Sequence, residues 1–169
     1  MHIRQLGIDD AATYHALRLR MLRIYPDAFT SSYEEDVIKP IAATEARLAA
    51  DGDTAMWGAF VGSALAGGIG LVRETRRKNR HKADIVAMYV LPEYARRGIG
   101  RALLDSAIAH ARDAGIEQLT LTVTQGNAAA RELYLAAGFV AFGVEPRAIK
   151  VAGEYFAKEH MILFVANDL

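Results

Sequence analysis

The chain contains no cysteine, which excludes a disulfide framework, a thiolate nucleophile and an acyl–enzyme on sulfur. Neither charge is in surplus, with 20 Lys and Arg against 20 Asp and Glu. Bulk electrostatics therefore gives no pull towards nucleic acid or an anionic membrane, and neither is expected as a partner. The opening Met1-His2-Ile3-Arg4 lacks the apolar stretch of a signal peptide, so a cytoplasmic location is expected. Internal repeats, low-complexity tracts and linkers are missing too. Charge is also absent from Thr54 to Val72, a stretch long enough to cross a bilayer. It even holds Gly58-x-x-x-Gly62, a spacing that helps membrane helices to dimerise. Five glycines interrupt it, however, and Gly62-Ser63 separates two apolar runs as a two-residue hairpin turn. Two buried strands are the expectation.

What is present fits one domain over residues 1–169, since 169 residues with 52% hydrophobic content can enclose a real core. A strand is expected at Ile3–Leu6. A helix should follow from Asp9 or Asp10 to about Arg23, with Ala12, His15, Ala16, Leu19 and Leu22 along one face. A second helix is expected from Pro40 to Ala50, then strands at Ala55–Val61, Ala64–Arg73 and Ala83–Leu91. A helix from Gly98 to Ala114 has apolar positions at Ile99, Ala102, Leu103 and Ala107, with Gly115 as its stop. Leu119, Leu121 and Val123 alternate with Thr120, Thr122 and Thr124 as a strand. Asn127 caps a helix to Ala137, and Phe139–Val144 and Tyr155–Val165 close the chain as strands. This order describes an α/β (α+β) fold, a mixed central sheet with helices on both faces.

The stretch Met88 to Leu104 carries the most chemistry. It reads as strand, basic glycine turn and amphipathic helix, with Gly98 and Gly100 permitting the turn. The first amides of the helix point into that turn, where the dipole favours an anion. Arg96, Arg97 and Arg101 add positive charge, and like charge so clustered is costly without an anion to receive it. A phosphate cradle results. A Walker-type loop is excluded, because no Gly-x4-Gly-Lys-Ser/Thr run exists. A dinucleotide fingerprint lacks its third glycine, having Leu103 there, and its following strand ends in Val123-Thr124-Gln125 without an acid.

The turn resembles the pyrophosphate signature of the acetyl-CoA-dependent N-acetyltransferase (GNAT) family, Gln/Arg-x-x-Gly-x-Gly/Ala. Gly98 and Gly100 match, and Ala95 departs from the Gln/Arg position. A second landmark of the family is similar to Asn127-x-x-Ala130-x-x-x-Tyr134-x-x-x-Gly138-Phe139. The resemblance covers nearly the whole chain and is weakest before residue 55. It implies the acyl-CoA N-acyltransferase fold, with a mostly antiparallel sheet whose strand at Met88, Tyr89 and Val90 splays from its neighbour and pairs with pantetheine. It also implies that Arg96, Arg97, Gly98, Ile99, Gly100, Arg101 and Ala102 hold the pyrophosphate, that Asn127 and Ala130 contact CoA, and that the Met88 amide receives the oxyanion. Tyr134 would be the acid that protonates the departing thiolate, a task that suits a phenol of pKa about 10.

Asp84 is the first candidate for the general base, since it lies six residues before Val90, where the histone-modifying branch carries a glutamate. Its other reading is a solvated acid at a strand start, and Glu34, Glu35 and His81 are alternatives. Tyr25, Phe29, Tyr33, Glu34 and Glu35 are expected to wall the acceptor pocket, unless they form only a surface loop. The basic run from Arg73 to Lys82 is either a solvated hairpin tip or a contact for the CoA 3′-phosphate or an acidic substrate. The expected function is acetyl transfer from acetyl-CoA to a primary amine, small or peptidic, by direct attack in a ternary complex, without a metal. A homodimer is expected from family habit. The alternative is a non-catalytic acyl-CoA sensor on the same fold, and a NAD-dependent oxidoreductase is the distant third.

Overall fold

The uncharged stretch from Thr54 to Val72 folds as a hairpin, β2 (Thr54–Val61) and β3 (Ala64–Arg73), turning at Gly62 with φ 61°. A computed structural model of the chain describes residues 1–49 and 51–165. The hairpin is joined by β1 (His2–Gln5), β4 (Lys82–Val90), β5 (Gln118–Thr124), β6 (Val140–Val151) and β7 (Glu154–Phe164). The seven strands form one sheet in the order β1-β2-β3-β4-β5-β7-β6. All neighbours are antiparallel except β4 and β5, which run parallel. The mixed, mostly antiparallel sheet of the sequence reading is thus present.

Helices α1 (Ala11–Ile24) and α3 (Ile41–Leu48) cover one face of the sheet, and α4 (Ile99–Asp113) with α5 (Ala128–Ala136) covers the other. Under α1 lies a core of Tyr14, Leu17, Met21, Met56, Leu65 and Tyr89. Under α4 lie Ile69, Ile85, Leu103, Leu104, Leu119 and Met161. Leu103 and Leu104 are fully buried, so truncating either to Ala is the kind of change that costs about 2–5 kcal/mol. Among the described residues, no helix is long and apolar enough to cross a membrane.

Three expectations need correction. The buried stripe of α1 is Ala11, Tyr14, Leu17, Arg18, Met21 and Leu22, whereas Ala12 and Ala16 are exposed. The charge of Arg18 interrupts the true apolar stripe and makes the neighbouring one look better. The segment between α1 and α3 is not merely a loop, because it holds the short helix α2 (Tyr33–Val37). A capping box starts it: Ser32 Oγ accepts from the Glu35 amide at 3.2 Å, and the Glu35 carboxylate accepts from Ser32 N–H at 3.2 Å. Finally, β6 continues to Val151, well past Val144. The expected end of α3 at Ala50 lies outside the described residues.

Helix α2 presents Asp36, which is buried and accepts from Arg18 Nε and, at 2.6 Å, from Lys39 Nζ. Burial pushes the Asp36 carboxyl up, but the hydrogen bonds from Lys39 and Arg18 outweigh it and hold the group below its ordinary value. Removing one partner of such a pair leaves a buried charge uncompensated. Asp36→Asn is therefore expected to destabilise the protein by about 3 kcal/mol at pH 7 in urea denaturation. A lowered folded pKa stabilises above the unfolded value and is lost as pH falls through the folded one. The gap between wild type and variant should thus shrink below about pH 4.

Candidate active site

Strands β4 and β5 pair only at Lys82–Gln118, Ala83–Leu119 and Asp84–Thr120. Beyond Asp84 they diverge into an open V. A bulge in β4 accompanies the divergence: Gly68 pairs with Tyr89 while Gly70 pairs with Val86, so Ala87 and Met88 both fall opposite Ile69. Ala87 takes the left-handed φ of 50° that this requires. The β4 edge facing β5 is consequently without strand partners from Ile85 to Val90. Two cavities meet in the V. The outer one, about 520 Å³, lies between β4, the glycine turn and α5. The inner one, about 310 Å³, passes between the arms of the V, and Phe29, Met88, Asn127, Ala130 and Tyr134 border both.

At the glycine turn, the first helical bond of α4 runs from Ala102 N–H to Gly98 O at 3.1 Å. The amides of Ile99, Gly100 and Arg101 therefore stand at the helix N-terminus without intrahelical partners. The amide of Ala102 is committed to the helix, which removes it from the expected cradle. Gly98 has φ 76°, and a Cβ there would meet nothing within 4 Å, so its requirement is conformational. At Gly100 a Cβ would lie 3.2 Å from both Leu133 Cδ2 and Met88 Cε, so its requirement is room. The three arginines are not equivalent. Arg101 bonds Asp105 at 2.8 Å and Ala136 O at 3.2 Å, and Arg97 turns back to Glu93 O at 3.3 Å. Arg96 borders the outer cavity and has no hydrogen-bond acceptor among the described residues.

Tyr134 sits where the two cavities join. Asn127 Oδ1 caps α5 by accepting from the Ala130 amide at 3.2 Å, and Phe139 fixes the Tyr134 ring edge-on at 5.9 Å. Burial pushes the Tyr134 phenol well up, so it stays protonated far above neutral pH. Its hydroxyl has no hydrogen-bond partner among the described residues. Tyr89 and Val90 border the outer cavity as well, and the buried Tyr89 ring meets Phe29 edge-on, 6.4 Å away.

The other expected residues disperse. Asp84 accepts a hydrogen bond from Thr120 Oγ1 at the closed end of the V, in a cavity of about 300 Å³ with Thr122 and His160. It does not border the cavities that hold Tyr134. Tyr25 borders the outer cavity. Tyr33 and Glu34 border a separate one near the β6–β7 turn, where Tyr33 hydroxyl accepts from Arg23 at 2.7 Å. Glu35 is used by its capping box. The Arg73–Lys82 run lies at the opposite end of β4 from the glycine turn, so it does not reach towards it, and exposed Arg76, Arg77 and Lys78 form its tip. His81 is exposed at that same end.

Sequence reasoning missed Arg18, Thr30, Arg47 and Lys158, all of which border the inner cavity. Arg18 left one signal, a charge on the apolar stripe of α1. Lys158 left none, since its place depends on the pairing of β7 with β5 at Thr124.

The turn can be tested apart from any ligand. Gly98→Ala should cost about 1 kcal/mol in urea denaturation because alanine resists positive φ, and Gly98→Asn should cost less because asparagine tolerates it. Equal losses would point to a side-chain clash instead.

With the geometry established, comparison with known proteins is informative. The model of the Acetyltransferase (GNAT) family matches residues 18–139. Mycothiol acetyltransferase of Propionibacterium freudenreichii is 37% identical over 60 residues, which are 36% of this chain and 19% of that protein. The chain thus spans a small part of the curated relatives it matches, 19% of one and 18% of another. An acetyltransferase of the GNAT family from Streptococcus pneumoniae superposes with TM-score 0.87 at 27% identity, over 96% of this chain and 98% of that one. YncA from Salmonella typhimurium, solved with acetyl-CoA, superposes with TM-score 0.81 at 20% identity, over 100% of this chain and 96% of that one.

Proposed function

Because the chain belongs to the acetyltransferase (GNAT) family, whose members use acetyl-CoA, we propose that it moves the acetyl group of acetyl-CoA directly onto an amine within a ternary complex. The observation that carries this reading is the continuity of the V, with unpaired helix amides at one end and a buried, protonated phenol where its two cavities meet. When bound, acetyl-CoA supplies the activated acyl carbonyl. The amides of Ile99, Gly100 and Arg101, with the side chain of Arg96, bind its pyrophosphate. The free edge of β4 at Met88 and Val90 takes pantetheine as an added strand. The amide at the Ala87–Met88 bulge donates to the developing oxyanion.

The amine nitrogen bonds to the carbonyl carbon as the carbon–sulfur bond breaks. The ammonium loses one proton to solvent before attack; the Tyr134 hydroxyl gives its proton to the departing sulfur and recovers one from the nitrogen of the new amide, so the phenol ends as it began. Asp84 acts as a clasp at the apex of the V, tied to Thr120, rather than as the base. Residues 1–169 act as one domain in this reading. Self-association into a homodimer has support in the edge strand β6, where Val140, Phe142 and Val144 are exposed.

Acetyl-CoA at about a hundred times its dissociation constant is expected to stabilise the protein by about 2.7 kcal/mol in thermal unfolding, and NAD to have no effect. Tyr134→Phe should lower kcat by about a hundredfold while leaving acetyl-CoA affinity unchanged. Binding of acetyl-CoA by a wild type that releases no CoA with any amine would favour the sensor. Asp84→Asn should lower kcat/KM by less than the roughly hundredfold loss typical of a general base. It should lower the melting temperature, because Thr120 loses its charged acceptor.

A further inference from the structure

The inner cavity has a one-sided lining. Arg18, Arg47 and Lys158 border it, and no aspartate or glutamate does. Lys158 is only 7% exposed, yet its Nζ meets a neutral hydroxyl, Thr30 Oγ1 at 3.0 Å, and no carboxylate within ion-pair distance among the described residues. A buried ammonium without an anion is a costly arrangement, because desolvation disfavours the charge. Arg47 has neither an ion-pair partner nor a hydrogen-bond acceptor among the described residues. Arg18 gives its Nε–H to Asp36, and neither Nη group has an acceptor among them. Asp36 is already shared with Lys39. Glu145 stands opposite Lys158 across the β6–β7 pair and pulls against the larger effect of desolvation, but its carboxylate faces His160 at 3.1 Å and does not reach Lys158 as an ion pair. The cations converge from α1, α3 and β7 on one space, beside the hydroxyls of Thr30 and Ser31.

We propose that the amine accepted by this site carries a carboxylate, as an α-amino acid does, and that Lys158, Arg47 and the Nη groups of Arg18 hold that carboxylate. The inference rests on the acetyltransferase reading and narrows its acceptor. Arg18 offers a planar fork matched to two carboxylate oxygens, and Lys158 offers a desolvated point charge, which raises the worth of each contact. A purely cationic amine, such as a polyamine, would meet Arg47 and Lys158 with no carboxylate paired to either, beside an Arg18 whose charge Asp36 already offsets. Of the wall of aromatics and acids expected for a cationic acceptor, Phe29 borders this cavity but the acids do not: Tyr33 and Glu34 border an adjoining cavity that shares Phe29, Thr30 and Ser31 with it.

The test uses the full chain loaded with CoA and titrates it by calorimetry with the twenty common α-amino acids, their carboxamides and their decarboxylated amines. At least one free amino acid should bind, at least about tenfold more tightly than its carboxamide and its decarboxylated amine. Lys158→Met and Arg47→Gln should each reduce that preference by about tenfold or more. Arg47 is partly exposed, so its variant remains informative should the Lys158 variant fold poorly. Carboxamides or decarboxylated amines binding as well as the acids would overturn the proposal, as would no binding by any member. Failure of the underlying reading looks different: acetyl-CoA itself would then give no thermal shift.

Discussion

The rest of the structure depends on one interruption, the end of β4–β5 pairing at Asp84 and Thr120. Buried backbone N–H and C=O groups require partners, and a sheet interior is the place where lost pairing is least tolerated. Six residues of β4 nevertheless keep one edge unpaired, from Ile85 to Val90. The local devices all serve to hold this gap. The Asp84–Thr120 hydrogen bond closes its apex, and the bulge at Ala87 and Met88 turns the strand while leaving its bonds to β3 in place. The unpaired edge is a template for an extended ligand, so the defect in the sheet and the binding surface are the same object.

Polar contacts, more than apolar packing, fix the segment that closes the V. Thr124 Oγ1 donates to Asp27 O at 2.7 Å, and Lys158 donates to Thr30, tying residues 27–30 to β5 and β7. Farther along, α2 is anchored through Asp36 to Arg18 of α1. These bonds give the inner cavity walls from α1, the α1–α2 segment, β5 and β7, elements distant in sequence. The outer cavity differs, being built by two near-contiguous motifs, one on each side of α4. The proposed chemistry follows this division: phosphate and pantetheine are assigned mainly to backbone groups, with the Arg96 side chain, and the acceptor to charged side chains.

That division also explains how much was legible in the sequence. Gly98, Gly100 and Asn127 were readable because what they do is local: a positive φ, a close approach to Leu133, a helix cap; Tyr134 was singled out by the family resemblance. The succession of strands and helices along the chain followed from alternation and turn residues, whereas the order of the strands within the sheet depends on pairing that no local pattern states. The acceptor wall was not readable, because Arg47, Thr30 and Lys158 become neighbours only through long-range packing. The charge at Arg18 was misleading locally, since it shifted the apparent face of α1, although a buried arginine was itself the clue. Glu35 looked like a pocket acid, and its spacing from Ser32 was the sign of a cap. The side chains of Arg97 and Arg101 have acceptors within the protein, Glu93 O and Asp105, which the sequence did not reveal, while Arg101 still borders the outer cavity.

On the proposed reading, the cationic wall bears on the deprotonation of the incoming amine. An arriving ammonium must lose a proton before it can attack, and the inner cavity contains no carboxylate to take it. Arg18 is balanced by Asp36, and a carboxylate on the acceptor balances one of Arg47 and Lys158. One positive charge remains in excess. At about 6 Å and an effective dielectric of about 20, it raises the energy of the ammonium by about 3 kcal/mol, which lowers its pKa by about 2. An α-amino group of pKa near 9 to 10 would then lie close to neutral, with its proton passing to water. On the proposed reading, the charges that hold the carboxylate also favour the neutral amine, so the transfer would not need a dedicated base and Asp84 would serve to close the V.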